Sequence, residues 1–438
     1  MKAAELKKKK DGSELYAPIL FLFAALLPEY LAPVLGIVVF ILTLKKSIAE
    51  KTTPHLGKLG LSILIFIAWM VICAFWSSSV ISSLASIGLW CLMFTGYYVF
   101  TQTVKGERDV EKIMYFGCIS AGVSGLIGIL QMVSFHFCRH MGGEWYKLFN
   151  PLWRFLDWGI EKLVVLLPEF ISSSMASKTF HTFSTRSCGT FSNPLFFATF
   201  CVFMLPFAVY IFLCSEDKKR RWLGFLCCLL DVGGLALSYS RGPYLFAVAV
   251  FLLLLLHGGK KCLKLLSLGV LSLGALAVFA TGIFKRLLSL INGRDVSVNT
   301  RKLIWDASFD MISQRPFFGY GTGFDNVRSR LHEIYGIKQP HAHNIFLEVQ
   351  LENGVFGVAI LIAVFVLFFI NTLKLARLGA KQRELAVTLF ASIVGFLLCG
   401  ATDCIFYGLK PLQYLILILG LSQAVFAIYF KRPKEKTE

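Results

Sequence analysis

The chain has 438 residues, of which 56% are hydrophobic and 16% charged, with 41 phenylalanines and a mean hydropathy of +0.68. Repeated apolar runs of near bilayer-spanning length exclude a soluble domain. Because lipid tolerates only helices or closed barrels, the predicted fold is all-α, a polytopic transmembrane bundle of about twelve spans. The formal charge of +18 would point to nucleic acid in a soluble protein. Here the lysines and arginines sit between the spans and have a topological explanation, so no nucleic-acid partner is expected.

Lys7 to Lys10 precede the first apolar run, but no apolar region ending in a small-residue cleavage site follows, so the first span is expected to be retained. Spans are predicted near 16–27, 31–44, 59–76, 80–100, 113–137, 191–214, 222–239, 243–257, 263–284, 355–373, 384–402 and 411–430. The first two are short enough to form a hairpin around Pro28. The first tail, the alternate short loops and the last tail hold about 27 lysines and arginines, whereas the short loops of the other side hold Arg241 and Lys410. Both termini are therefore expected in the cytoplasm, in a multi-pass membrane protein. The two long connections then fall together on the outer face.

The chain divides accordingly into N-terminal transmembrane helices (1–137), an extracytoplasmic interfacial loop (138–190) and central transmembrane helices (191–284). A large extracytoplasmic loop read as catalytic (285–354) and C-terminal transmembrane helices with a cytoplasmic tail (355–438) complete it. Both long loops are expected to contain short amphipathic helices.

In the first outer loop Trp145, Tyr146, Phe149, Trp153, Phe155 and Trp158 alternate with Lys147, Arg154 and Lys162. That pattern suits a helix lying among lipid headgroups, and equally a packing lid over the bundle. Of the twelve cysteines, Cys73, Cys91, Cys118, Cys201, Cys227, Cys228 and Cys399 lie in spans, where they read as small apolar fillers. Cys138 and Cys188 flank the first outer loop, and a disulfide between them is open. Asp231 is the one clearly intramembrane acid, a functional hypothesis by default unless it lies near the cytoplasmic end.

In the second outer loop Asn299 is predicted to cap a helix whose apolar face is Ile304, Ala307, Met311 and Ile312, ended by Pro316. Gly319, Gly321 and Gly323 make a tight turn rather than a nucleotide loop, because no strand precedes them and no Lys-Ser/Thr follows. A short helix over 325–335 follows, then Pro340 to Asn344, then a helix over 345–353 stopped by Gly354. His343 and Asn344 thus fall at a helix N-terminus. Its free N–H groups and partial positive charge favour a nearby phosphate and a neutral imidazole, the state a general base requires. A structural histidine is the plain alternative.

Arg241, within Ser240-Arg241-Gly242, is kept on the side where short loops almost lack positive charge. A guanidinium there is a candidate anion ligand, or else a snorkelling surface residue. Arg186 and Arg301 are further outer-face cations. No Asp-x-Asp pair occurs, which argues against a metal-chelated sugar nucleotide, and there is no CxxC or zinc spacing. His341 and His343 could share a metal only with an acidic or thiol partner that the nearby sequence does not offer.

These residues together resemble the O-antigen ligase and O-antigen polymerase family of bacterial envelope glycosyltransferases. The matching features are Gly189-Thr190-Phe191-Ser192-Asn193-Pro194, Ser240-Arg241-Gly242, Arg301 with Trp305, and Pro316-Phe317-Phe318-Gly319-Tyr320-Gly321. They continue with His343-Asn344-Ile345-Phe346-Leu347-Glu348 and Glu352-Asn353-Gly354, so the similarity is strongest over about 180–360. The resemblance implies transfer of a glycan from undecaprenyl pyrophosphate to a lipid-linked or polysaccharide acceptor, at the outer face of the cytoplasmic membrane and among its lipids. It makes His343 the catalytic residue, Arg241 and Arg301 the donor pyrophosphate ligands with Arg186 a weaker match, and Asn344, His341 and Glu352 supporting residues. No cofactor or metal is expected, because the pyrophosphate is already an activated leaving group.

Ligase and polymerase share this donor chemistry and are not separated by these residues. Lipopolysaccharide is one acceptor, and in a single-membrane host a capsule or other surface polysaccharide is another. A lipid-linked oligosaccharide transporter is the alternative from a different class, but it would ordinarily show internal repeats and polar residues at mid-membrane. A membrane-anchored sensor would not need so many spans.

Overall fold

The computed structural model describes residues 15–27, 31–52, 55–140, 186–257, 269, 296–339 and 341–430, and among them there is no strand. The helices are α1 (Tyr16–Leu26), α2 (Leu31–Ala49), α3 (Gly57–Cys73), α4 (Val80–Thr103), α5 (Glu107–His140), α6 (Pro194–Cys214) and α7 (Lys218–Leu237). They continue with α8 (Arg241–His257), α9 (Val296–Gln314), α10 (Phe324–Tyr335), α11 (Ile345–Ala376), α12 (Ala380–Gly400) and α13 (Leu409–Phe430). Eleven of the twelve expected spans thus coincide with a helix, and 263–284, residue 269 apart, lies outside the described residues. Eight of the helices are long and apolar enough to cross a bilayer, while α1 and α8 are shorter. The aromatic stretch 145–158 also lies outside the described residues, as do Pro28 and the side chain of Cys138. Cys188 is a buried free thiol that meets the Arg186 carbonyl oxygen at 3.9 Å.

α6 and α13 form the centre, because α6 is apolar all round and such a helix is stable only when surrounded. Phe21 of α1, Phe207 of α6 and Tyr414 of α13 stack there, with ring centroids 5.2–5.4 Å apart. Around them pack α1, α4, α5, α7 and α12. α5 and α7 approach closely at Gly125, where a Cβ would lie 2.2 Å from the Leu230 carbonyl oxygen, the small-residue contact by which helices associate in lipid. Asp231 of α7 is fully buried beside Cys201 of α6.

α9, α10 and the first turns of α11 make a cap with its own core, in which Ile304, Met311, Val327 and Leu331 are completely buried. Asn326 pins the cap to the α3–α4 connection. Its Oδ1 accepts hydrogen bonds from the hydroxyls of Ser77 and Ser78, both at 2.9 Å, and from Ser79 N–H at 2.8 Å.

One expectation is corrected in this region. α9 begins at Val296, so Asn299 is an exposed residue inside its first turn and not its cap. A solvent-facing Asn costs a helix only its modest propensity, so the helix extends past it. The helix that starts at Ile345 ends at Gly354 as expected, and a second helical segment follows it directly across a kink. Gly354 adopts φ 66° and ψ −173°, and the helix resumes at once towards Ala376.

Candidate active site

Asn344 is the N-cap of α11, its Oδ1 accepting hydrogen bonds from the N–H groups of Phe346 and Leu347 at 2.9 and 3.2 Å. His343 therefore stands just before the helix, at φ 51°, a left-handed conformation that a side chain with a Cβ adopts only under constraint. The constraints are visible. Trp305 Nε1–H of α9 donates to the Ala342 carbonyl at 2.9 Å, and Ala342 N–H donates to Glu348 Oε2 at 2.7 Å. Asn344 Nδ2–H donates to the Ala401 carbonyl at 3.1 Å. The segment is thus held from α9, from its own helix and from the α12–α13 connection.

That connection supplies the acidic partner which the sequence around the histidines lacks. Asp403 Oδ1 lies 3.3 Å from His343 Nδ1 and 3.9 Å from His341 Nε2, within ion-pair reach. The His343 nitrogen is not aligned for a full hydrogen bond. Burial pushes the Asp403 carboxyl up, but His343, then His341 and the Cys404 N–H outweigh burial and hold it below its ordinary range. An ionised Asp403 facing Nδ1 favours the tautomer with the proton on that atom, which leaves Nε2 as the basic nitrogen. The ligand atoms of His341, His343 and Asp403 lie within 4.8 Å of one another, so this set could also hold a metal ion.

Arg186 and Arg241 are brought together from different elements. Arg186 donates from Nε to the Ser238 carbonyl at 2.9 Å and from an Nη to the Ser240 hydroxyl at 2.8 Å, next to Arg241. Arg241 is not in a loop, as its sequence context predicts, but is the first residue of α8. A cation placed where the helix already presents its positive end favours an anion nearby. A Cβ on Gly242 would lie 3.4 Å from the Thr402 hydroxyl, so the start of α8 abuts the turn that carries Asp403. Arg301 lies one turn before Trp305 on α9, and its Nε is buried without a hydrogen-bond partner among the described residues. Glu352 hydrogen-bonds to the Tyr407 hydroxyl and belongs to the support beneath the loop. Asp231 shares no element with these residues.

Asp403, Glu348 and Tyr407 are absent from the residues singled out from sequence as supporting the site. The available signal was thin: Asp403 is the one acid between α12 and α13, two apolar helices.

The fold and this end of it define a multi-pass membrane protein with a histidine–carboxylate site and, near it, Arg241 at the head of a helix with Arg186 beside it. Residues 226–362 match the family model described as O-antigen ligase, which bears out the resemblance carried by the motifs. Over this segment, under a third of the chain, the protein is similar to the O-antigen ligase family. The matched segment holds Arg241, Arg301 and His343, whereas Arg186 and Asp403 come from outside it. No curated protein matches the chain.

Proposed function

We propose that the protein transfers a glycan from undecaprenyl pyrophosphate to an acceptor hydroxyl at the outer face of the cytoplasmic membrane, with both termini in the cytoplasm. His343 Nε2 takes the hydroxyl proton as that oxygen bonds to the anomeric carbon. The bond from this carbon to the pyrophosphate oxygen breaks, and its electron pair leaves with the lipid pyrophosphate. One displacement inverts the anomeric centre. Arg241 and Arg301, together with Arg186, meet the charge that develops on the leaving group, and cations already fixed in place do so without reorganising. Asp403 orients the imidazole and stabilises the imidazolium that forms. His341 packs against His343, with ring centroids 4.3 Å apart.

The observation that carries this reading is the 3.3 Å approach of Asp403 to a histidine fixed at a helix N-terminus. Ligase and polymerase action differ only in the acceptor that enters. The test is transfer by purified His343→Ala in lipid vesicles supplied with a polyprenyl-pyrophosphate glycan. The expected result is loss of transfer with donor binding retained. Transfer at the wild-type rate would remove His343 from the chemistry.

A further inference from the structure

Beneath the histidine loop, three buried oxygen groups form a chain that the transfer reaction itself does not use. Tyr407 Oη lies 2.7 Å from Glu348 Oε1 and 2.5 Å from Glu352 Oε1. A phenol has one proton to donate, so it can satisfy only one of two ionised carboxylates. With both ionised, the other short contact would join two lone pairs in a dry site, a cost of the kind that makes paired carboxyls share a proton. Glu348 is the better candidate for the charge, because its second oxygen already accepts the Ala342 N–H at 2.7 Å and His343 lies close by. Hydrogen bonds to an ionised acceptor are the stronger kind. Burial first, then Glu348 and Glu352, push the Tyr407 phenol well above its ordinary range, so its proton stays on.

We infer that Glu352 is held as a neutral carboxylic acid which donates to Tyr407, that Tyr407 donates to an ionised Glu348, and that this chain is the positioning device for the His343 loop. Each donor has one acceptor in this order, and the chain ends on the amide between the two histidines. The groups facing it from packed elements are Cys73 of α3, Cys404 of the α12–α13 connection, the Gly323 backbone of the cap and His343. None of the side chains among them supplies a fixed cation to Glu352, so burial beside an anion leaves it neutral. A cavity of about 30 Å³ lined by Glu348, Glu352, Tyr407 and Trp90 has room for a water through which the proton can exchange.

The consequence is a second control on the reaction. Removing the Glu352 proton at alkaline pH places two buried charges around one phenol, separates them and releases the Ala342 amide. Activity then falls because the His343 loop is displaced. The kinetic part of this inference rests on His343 being the base, while the proton count does not.

The experiment is infrared spectroscopy of the full-length protein in detergent, followed by transfer kinetics across pH. The wild-type minus Glu352→Gln difference spectrum, in which the buried Asp231 cancels, should show the carbonyl stretch of a protonated carboxyl at neutral pH, bleaching as pH rises. Because an amide also donates to Tyr407 but carries no titrating proton, Glu352→Gln should lose the alkaline decline. Tyr407→Phe should lower kcat roughly 100-fold, the effect of a displaced reacting group, with KM for the donor little changed. Absence of that band from the difference spectrum overturns the assignment of the proton. An unchanged alkaline limb in Glu352→Gln together with wild-type kcat in Tyr407→Phe overturns the positioning role. If His343→Ala proves active while the infrared results hold, the base assignment fails and the shared proton stands.

Discussion

Asp403 Oδ1 stands 3.3 Å from His343 Nδ1, across two elements distant in sequence, and a single carboxylate oxygen also serves His341 at 3.9 Å. Replacing Asp403 by Asn keeps the shape but removes the charge that selects the tautomer and supports the imidazolium. Asp403→Asn is expected to lower kcat by roughly 100-fold or more while donor KM stays near wild type, as for other positioned acid–base groups. Steady-state kinetics on the purified variant decide it, and a pure KM effect would place Asp403 in donor binding instead.

The same carboxylate gives a stability signature. Its pKa is lowered in the folded protein, so its contribution is fully present above the unfolded value of about 3.9 and is lost as pH falls through the lower folded value. Acid unfolding of wild type should therefore show a loss in that window which Asp403→Asn lacks. Matching acid profiles for the two proteins would mean that the histidines do not hold the charge.

Strain and chemistry at His343 are separable. Its φ of 51° suits Asn, which visits the left-handed region readily, and opposes a β-branched residue. His343→Asn and His343→Val should both be inactive, but only the Val variant should lose stability, by about 1–2 kcal/mol. Equal thermal unfolding of the two would mean that the loop relaxes and that the conformation is not enforced.

What could be read in advance follows the range of the interaction. The start of α11 was legible because Pro340 to Asn344 precede an apolar run, and the end of its first segment because Gly354 interrupts that run; both signals lie close to what they control. Asp403 was not legible, since nothing in Ala401-Thr402-Asp403-Cys404 distinguishes an acid that meets a histidine from one that meets water. Asn299 misled for the opposite reason: a good capping residue does not fix where a helix begins when the residues before it can also be helical. Arg241 was recognised by its charge against the topological bias, but its place at the head of α8 depends on the turn at Tyr239, which has φ 49°.

The bend at Gly354 seats the cap on the bundle. A Cβ there would lie 2.0 Å from the Phe317 carbonyl oxygen, and the φ of 66° is itself unfavourable for any other residue. Gly354→Ala should destabilise the protein by at least about 2 kcal/mol, combining backbone strain with overpacking. Thermal unfolding in detergent measures this, and a loss under half that size would show that the cap can shift without cost.

Arg301 distinguishes a binding residue from a structural one by the sign of its effect on stability. Its Nε is buried and has no hydrogen-bond partner among the described residues, and an unsatisfied buried donor destabilises the fold that carries it. If the position is kept for the donor pyrophosphate, Arg301→Ala should unfold at the same temperature as wild type or higher. The same variant should lose roughly 2 kcal/mol or more of donor binding, the scale of a hydrogen bond to a charged group, or about 30-fold in affinity. A structural arginine would behave in the opposite way, with a lower unfolding temperature and unchanged donor affinity. Isothermal titration with a short-chain polyprenyl pyrophosphate, set beside a melting curve for each variant, separates the two. A variant weakened in both measurements would show that Arg301 supports the cap, and donor recognition would then fall to Arg241 and Arg186.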